Sequence, residues 1–440
     1  MPRPKRHAPL SVFLNSRLVG RLHRQASGAI DFQYDAGWLG WEHALPVSLS
    51  LPLREDRHIG APVIAVFDNL LPDSDAIRRR VAERVRAEGT DAYSLLAATG
   101  RDCVGALQFL PDGQAPGAAG AVDGKPIDEA AIARLLGDLA TAPLGLGEDQ
   151  DFRIAIAGAQ EKTALLSWQG RWHKPLASTA TTHILKPQIG QLPNGLDLSS
   201  SVENEFLCLR LTAALGLPSA SVEIGSFGGR RVLLVERFDR LWTRDQRLLR
   251  LPQEDCCQAL SVPPTRKYQS DGGPGIAAIL DLLKGSDDPE GDAALFLKAV
   301  IVFWLLGATD GHAKNFSLRL SPGGRFRLAP LYDIVSAQPS ADAGQVRRNQ
   351  MKLAMSAGDS RHYGVEAILP RHFAQTAARA GIDPALLRQV FAAIQAAAEP
   401  AIATVTAALP DGFPEAVAAS IVAGFRRRLR KLDYGAHASG

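Results

Sequence analysis

The alternation of apolar and polar residues divides the chain into a β-rich first part and an α-rich second part. Leu10 to Leu14 and Leu18 to Leu22 flank Asn15-Ser16, which predicts a hairpin, and Ile30 to Tyr34 alternates as a third strand. Residues 75–86 turn helical and basic. The Gly-, Pro- and Ala-rich stretch at 111–126 reads as a linker. A helical pattern follows over 127–139. Strand-like runs on either side of Gly158 predict a second hairpin, and His183 to Pro187 and Val232 to Val235 read as further strands around a helix at 202–216. From Cys256 onward the spacing is helical, at 292–306, 366–380, 384–407 and 414–431. One hairpin interrupts this part, with Phe316, Leu318 and Leu320 on one strand and Phe326 and Leu328 on the return. The expected fold is α+β in two lobes. The units are a β-rich subdomain at 1–110, a linker at 111–126, a β-rich lobe at 127–255 and a helical lobe at 256–440.

Composition narrows the class without naming a chemistry. The chain has 440 residues, 46% hydrophobic and 22% charged, which is ordinary for a globular protein. A formal net charge of +3 does not demand a nucleic-acid partner. The basic clusters Arg78-Arg79-Arg80, Arg347-Arg348 and Arg426-Arg427-Arg428 read first as solvated helix faces. Cys103, Cys208, Cys256 and Cys257 lack zinc-ligand spacing, and an adjacent pair makes a poor disulfide, so a reducing cytoplasm is expected. No apolar signal core precedes Leu10, and the apolar run at 294–306 is too short to span a bilayer.

The chemistry concentrates after that apolar run. Gly307 ends it, and Asp310, His312, Lys314 and Asn315 follow within nine residues of chain. Polar groups at the end of a buried helix are costly unless satisfied or used. The hairpin then returns Leu331-Tyr332-Asp333 towards Asn315, so Asp310, Asn315 and Asp333 should converge. Phosphoryl transfer requires one carboxylate for the attacking hydroxyl, plus an amide and a second carboxylate for magnesium. Asp310 and Asn315 have the four-residue separation that protein kinases use, although the spacing alone also suits a loop whose Asp and Asn cap turns. Gly158 could present backbone N–H groups to phosphate, or close an ordinary hairpin. Lys186 ends a strand and precedes a helix bearing Glu203 and Glu205, an arrangement that can position nucleotide phosphates. A phosphohydrolase with two metals is disfavoured, because no second cluster of carboxylates or histidines accompanies the first.

Read together, these segments resemble the HipA family, the serine/threonine kinase toxins of bacterial HipBA toxin–antitoxin modules. The resemblance covers nearly the whole chain. It rests on Asp68-Asn69-Leu70-Leu71-Pro72-Asp73, Ala157-Gly158-Ala159-Gln160-Glu161-Lys162-Thr163, His183-Ile184-Leu185-Lys186-Pro187, Glu236-Arg237-Phe238-Asp239-Arg240 and Leu251-Pro252-Gln253-Glu254-Asp255, with Gly307 to Asn315 and Leu331-Tyr332-Asp333. It implies a two-lobed protein-kinase-like fold and ATP and Mg2+ as cofactors. Asp310 would be the catalytic base, and Asn315 and Asp333 the metal ligands. Ala157, Gly158, Ala159, Gln160, Glu161 and Lys162 would lie over the phosphates with Lys186. Glu236, Arg237 and Phe238 would meet the adenine, with His312, Ala313, Lys314, Asn315 and Tyr332 lining the nucleotide site. The implied partners are a helix-turn-helix antitoxin of the HipB type, operator DNA through that complex, and a protein substrate, an aminoacyl-tRNA synthetase; no membrane is implied. One departure stands out: Ala155 occupies the position where the family commonly has an autophosphorylated serine, three residues before the loop glycine. A kinase-fold co-repressor with little catalysis is the alternative.

Overall fold

The computed structural model describes residues 7–146, 154–158 and 160–436. The N-terminal subdomain is built on an antiparallel sheet of five strands. Their spatial order is His58–Ile59, Ile30–Tyr34, Arg17–Arg24, Leu10–Leu14 and Leu107–Pro111. Asn15 and Ser16 both take positive φ, at 44° and 70°, which is the two-residue turn whose twist suits a hairpin. The helices Ala61–Asp68, Asp75–Val85 and Ala92–Thr99 follow one another between His58–Ile59 and Leu107–Pro111. Val12, Val19, Leu22, Phe32, Phe67 and Phe109 are buried in its core.

The second sheet has six antiparallel strands, ordered Val222–Phe227, Arg230–Glu236, His183–Pro187, Thr163–Trp168, Arg171–Pro175 and Gly124–Pro126. The stretch expected as a linker therefore ends in an edge strand of this sheet. The helix Glu129–Gly137 packs Ile132 and Leu136 against Leu165, Leu185, Phe227 and Val232. The hairpin expected around Gly158 does not form. Residues 154–157 are irregular, and Gly158 instead makes a parallel bridge to Pro72 of the N-terminal subdomain. Ile154, Ala155 and Ile156 are all buried, so their apparent alternation reflects packing on both sides. Phe152 and Arg153 of that expected strand lie outside the described residues.

The helical lobe is organised on Pro289–Leu306. Asp288 caps its N-terminus by accepting from Gly291 N–H, and Pro289 suits the first turn. Nearly every face is buried, against Ile276–Leu283, Pro384–Ala407 and Glu415–Ala436 among others. Pro384–Ala407 is long and apolar enough to cross a membrane by composition; here it packs against the helices Ser201–Ala214, Pro289–Leu306, Pro370–Arg379 and Glu415–Ala436. The expected hairpin forms from Ser317–Ser321 and Arg325–Leu328, joined by Gln253–Asp255 as a third strand. A second small ribbon, Lys352–Ala357 with His362–Gly364, has no counterpart in the pattern reading. The basic clusters are not simply solvated faces. Arg78 pairs with Asp68 at 2.6 Å, Arg80 with Glu161 at 2.6 Å, and Arg428 is fully buried with Glu366 and Gln338. All four cysteines are buried and unpaired.

Candidate active site

The site begins where Pro289–Leu306 ends. Gly307 takes φ +67°, the left-handed cap that turns the chain out of the helix, and Ala337 N–H donates to its carbonyl. Gly311 sits against the Phe303 ring so closely that a Cβ would collide. The backbone then tightens into the turn Ala313–Asn315. Asn315 donates through Nδ2 to the Asp310 carbonyl at 2.8 Å, which leaves its Oδ1 as the acceptor end. The Tyr268 hydroxyl donates to Asp310 Oδ1, and His312 Nε2 stands 3.8 Å from the same oxygen. Desolvation raises the Asp310 carboxyl above its ordinary value, and the Tyr268 bond opposes this. Burial, helped by Lys267, lowers the His312 imidazole to about 3, so the ring is neutral.

The ribbon delivers Tyr332 and Asp333 to the same cleft. The Tyr332 hydroxyl bonds to Ser317 Oγ at 2.5 Å and donates to the Lys314 carbonyl at 3.0 Å, bracing one segment on the other. Asp333 has φ +59°, a left-handed conformation unusual for a residue with a side chain. Lys186 Nζ donates to Asp333 Oδ1 and to Glu205 Oε1, each at 2.7 Å, and is itself only 6% exposed. Burial would raise the Asp333 carboxyl, but Lys186 and Lys162 outweigh it and hold the group well below the usual carboxylate range. Of the two glutamates considered on the following helix, Glu205 is the partner; Glu203 pairs with Arg231 at 2.6 Å.

Above these groups runs the segment after Ala157. Lys162 Nζ donates to the Ala157 carbonyl at 2.9 Å and lies beneath Gly158, where a Cβ would strike it. Gly158 has φ +110°, which a side chain would strain. Burial and the neighbouring Lys186 bring Lys162 down to about 8. Gln160 donates to the Pro187 carbonyl at 3.1 Å, and Glu161 faces Arg80. Ala159 lies outside the described residues. At the other end, Glu236 has an exposed side chain and Phe238 stacks obliquely on Tyr332 with 5.8 Å between centroids. The Arg237 guanidinium is buried against Asp239 and Asp102, so its backbone is what remains for the cleft.

Asp310, His312, Lys314, Asn315, Tyr332 and Asp333 thus line one cleft of about 780 Å³ with Lys162, Lys186 and the Glu236–Phe238 segment. That volume suits a nucleotide-sized ligand. Ala313 is fully buried behind it. Sequence reasoning gave no role to two further lining residues, Asp73 and Asp255, or to Tyr268 beside Asp310. Asp73 binds Lys314 at 2.5 Å and Lys267 at 2.7 Å. Tyr268, as described, holds Asp310, and Asp255 is raised by burial to about 7. Asp73 stood in a segment singled out for its resemblance, but nothing local signals Lys267 or Tyr268.

Comparison with known proteins agrees with this architecture. The HipA N-terminal domain matches residues 10–110 and the HipA-like C-terminal domain matches residues 154–402. The Y4mE protein of Sinorhizobium fredii, whose name marks it as an unproven kinase, is 40% identical over 331 residues, covering 74% of this chain and 77% of the relative. The serine/threonine-protein kinase toxin HipA of Shewanella oneidensis is 26% identical over 363 residues, covering 80% of this chain and 78% of that protein. The solved complex of Shewanella oneidensis HipA, HipB and operator DNA superimposes with a TM-score of 0.79 at 25% identity, over 97% of both chains. With both domain models matched in order and the whole fold superimposed, the chain belongs to the HipA family.

Proposed function

We propose that this protein is an ATP- and magnesium-dependent serine/threonine protein kinase acting as the toxin of a type II toxin–antitoxin module. The observation that carries the reading is the grouping of Asp310, Asn315, Asp333 and the Lys186–Glu205 pair on one cleft. The donor set suits magnesium: Asn315 Oδ1 and the ionised Asp333 carboxylate would hold it, leaving its other positions for phosphate oxygens and water. Bound there, the ion would neutralise charge on the phosphates. Lys186 Nζ already donates to Asp333 and Glu205, and its third N–H would serve a phosphate oxygen while both pairs are kept. Gly158 leaves room for phosphate oxygens above Lys162.

Asp310 serves as the base. Its Oδ1 is held by Tyr268, and Oδ2 would accept the proton of a serine or threonine hydroxyl. The hydroxyl oxygen bonds to the γ-phosphorus as the bond to the ADP oxygen breaks, and the proton passes to Asp310. Phe238 and the Glu236–Phe238 backbone would receive the adenine. The target would be a protein, with an aminoacyl-tRNA synthetase as the expected class, and its phosphorylation would arrest growth. A HipB-type antitoxin and operator DNA would complete the module, by likeness to the Shewanella oneidensis complex. Ala155 has no hydroxyl to accept a phosphoryl group, so self-modification at that position is ruled out by chemistry; the residue is fully buried and its N–H donates to the Asp102 carbonyl.

The test is transfer of labelled phosphate from ATP to protein in a cell extract. Asp310→Asn is expected to lower the rate by at least about 100-fold. Equal labelling by the two proteins would remove the kinase reading and leave a co-repressor.

A further inference from the structure

We propose that Asp73, from the N-terminal subdomain, is a positioning residue for phosphoryl transfer: it fixes the segment bearing Asp310 and Asn315 against the phosphate loop. The inference rests on the kinase reading and extends it to a part of the chain with no assigned role. Asp73 reaches both sides of the cleft at once. Its backbone N–H donates to the Gly158 carbonyl at 3.1 Å, beside the Pro72–Gly158 bridge. Its carboxylate accepts from Lys314 at 2.5 Å and from Lys267 at 2.7 Å.

Each lysine is one residue from a group of the proposed reaction centre. Lys314 precedes Asn315, and Lys267 precedes Tyr268, whose hydroxyl holds Asp310. The cluster is nearly dry, with side-chain exposures of 10% for Asp73, 5% for Lys314 and 14% for Lys267. Two ammonium groups on one carboxylate in such a place depend on it. Without its charge they would repel each other, and both segments would move.

The support behind Asp73 is itself braced. Arg78 donates to the Pro72 carbonyl at 2.6 Å and pairs with Asp68. Arg80 of the same helix reaches Glu161 in the phosphate loop, a second tie across the same boundary. Burial tends to raise the Asp73 carboxyl, but Lys314 and Lys267 outweigh it and hold the group at about 2, so the charge is present throughout the physiological range.

The experiment is steady-state phosphoryl transfer by the full-length chain, with Asp310→Asn alongside. Asp73→Asn is expected to lower kcat on the order of 100-fold, the effect of a displacement near 1 Å. The KM for ATP should stay within about threefold, since transition-state geometry and not nucleotide binding is lost. Adding Lys267→Met to Asp73→Asn restores the charge balance and should recover about tenfold of that loss. If Asp73→Asn does not fold, Lys267→Met alone is measured, and a lowered kcat at constant KM is expected. Wild-type kcat in a folded Asp73→Asn or Lys267→Met protein would overturn the proposal, as would a loss confined to KM. If the wild-type chain transfers no more than Asp310→Asn, the kinase reading fails first and takes this proposal with it.

Discussion

Glu254 shows what a single carboxyl can cost. It is 1% exposed; Oε1 accepts from Leu49 N–H at 2.8 Å, while Oε2 has no partner. Burial pushes its carboxyl up to about 8 from an ordinary value of 4.5. Below pH 4.5 the folded and unfolded chains are both protonated there, and the group is neutral to stability. Between 4.5 and 8 the unfolded chain releases a proton that the folded chain retains, so stability falls as pH rises, and the loss levels off above 8. Glu254→Gln keeps an acceptor for Leu49 and removes the titration. Its stabilising effect should grow by roughly 2–4 kcal/mol between pH 5 and pH 8. Thermal melts of both proteins at the two pH values check this; an offset independent of pH would contradict it.

At the scale of elements, the helix Pro289–Leu306 and the ribbon after it carry the candidate site, and both were legible in the sequence. An unbroken apolar run ending in glycine, followed by a strict two-residue alternation, leaves few other structures to form. Gly307 is where the two meet. A Cβ there would lie 3.0 Å from Met351 Cε and 3.2 Å from Arg428 Nη2, on a backbone at φ +67°. Gly307→Ala should therefore destabilise by roughly 1–2 kcal/mol, read as a lowered denaturation midpoint with an unchanged slope. The failures have the opposite cause. Ile154, Ala155 and Ile156 before Gly158 are buried in succession, and so are five of the six positions of Lys352–Ala357, so burial no longer alternates and the pattern loses its meaning. Residues 352–357 also read Lys-Leu-Ala-Met-Ser-Ala, a composition better suited to helix than to strand.

Over the whole molecule, the decisive contacts join residues far apart in the chain. Asp102, in the N-terminal subdomain, meets Arg240 at 2.9 Å, Arg250 at 2.9 Å and Arg237 at 3.4 Å, and accepts from Thr181 Oγ at 2.7 Å. The three arginines outweigh burial and hold its carboxyl well below the usual range. Asp102→Ala would leave three guanidinium groups buried around a vacancy, with Asp239 able to compensate only Arg237 and Arg240. A loss of about 3–5 kcal/mol is expected, together with separate melting of the N-terminal subdomain. Calorimetry checks both, and a single transition at the wild-type temperature would contradict them. No local pattern encodes such a hub. Asp73 and Lys314 are 241 positions apart, and only the finished fold makes them neighbours. The catalytic candidates were legible because they fall in two short segments; their supports were not, because each sits in a different part of the chain.

The strands Leu107–Pro111 and Gly124–Pro126 belong to different sheets, yet the peptide between them is not what unites the two halves. Asp102, Asp73 and Glu161 already clasp arginines and lysines across that boundary, and Glu254 reaches back to Leu49. A protease nick in that connection would leave a chain cut in two that still sediments as one body.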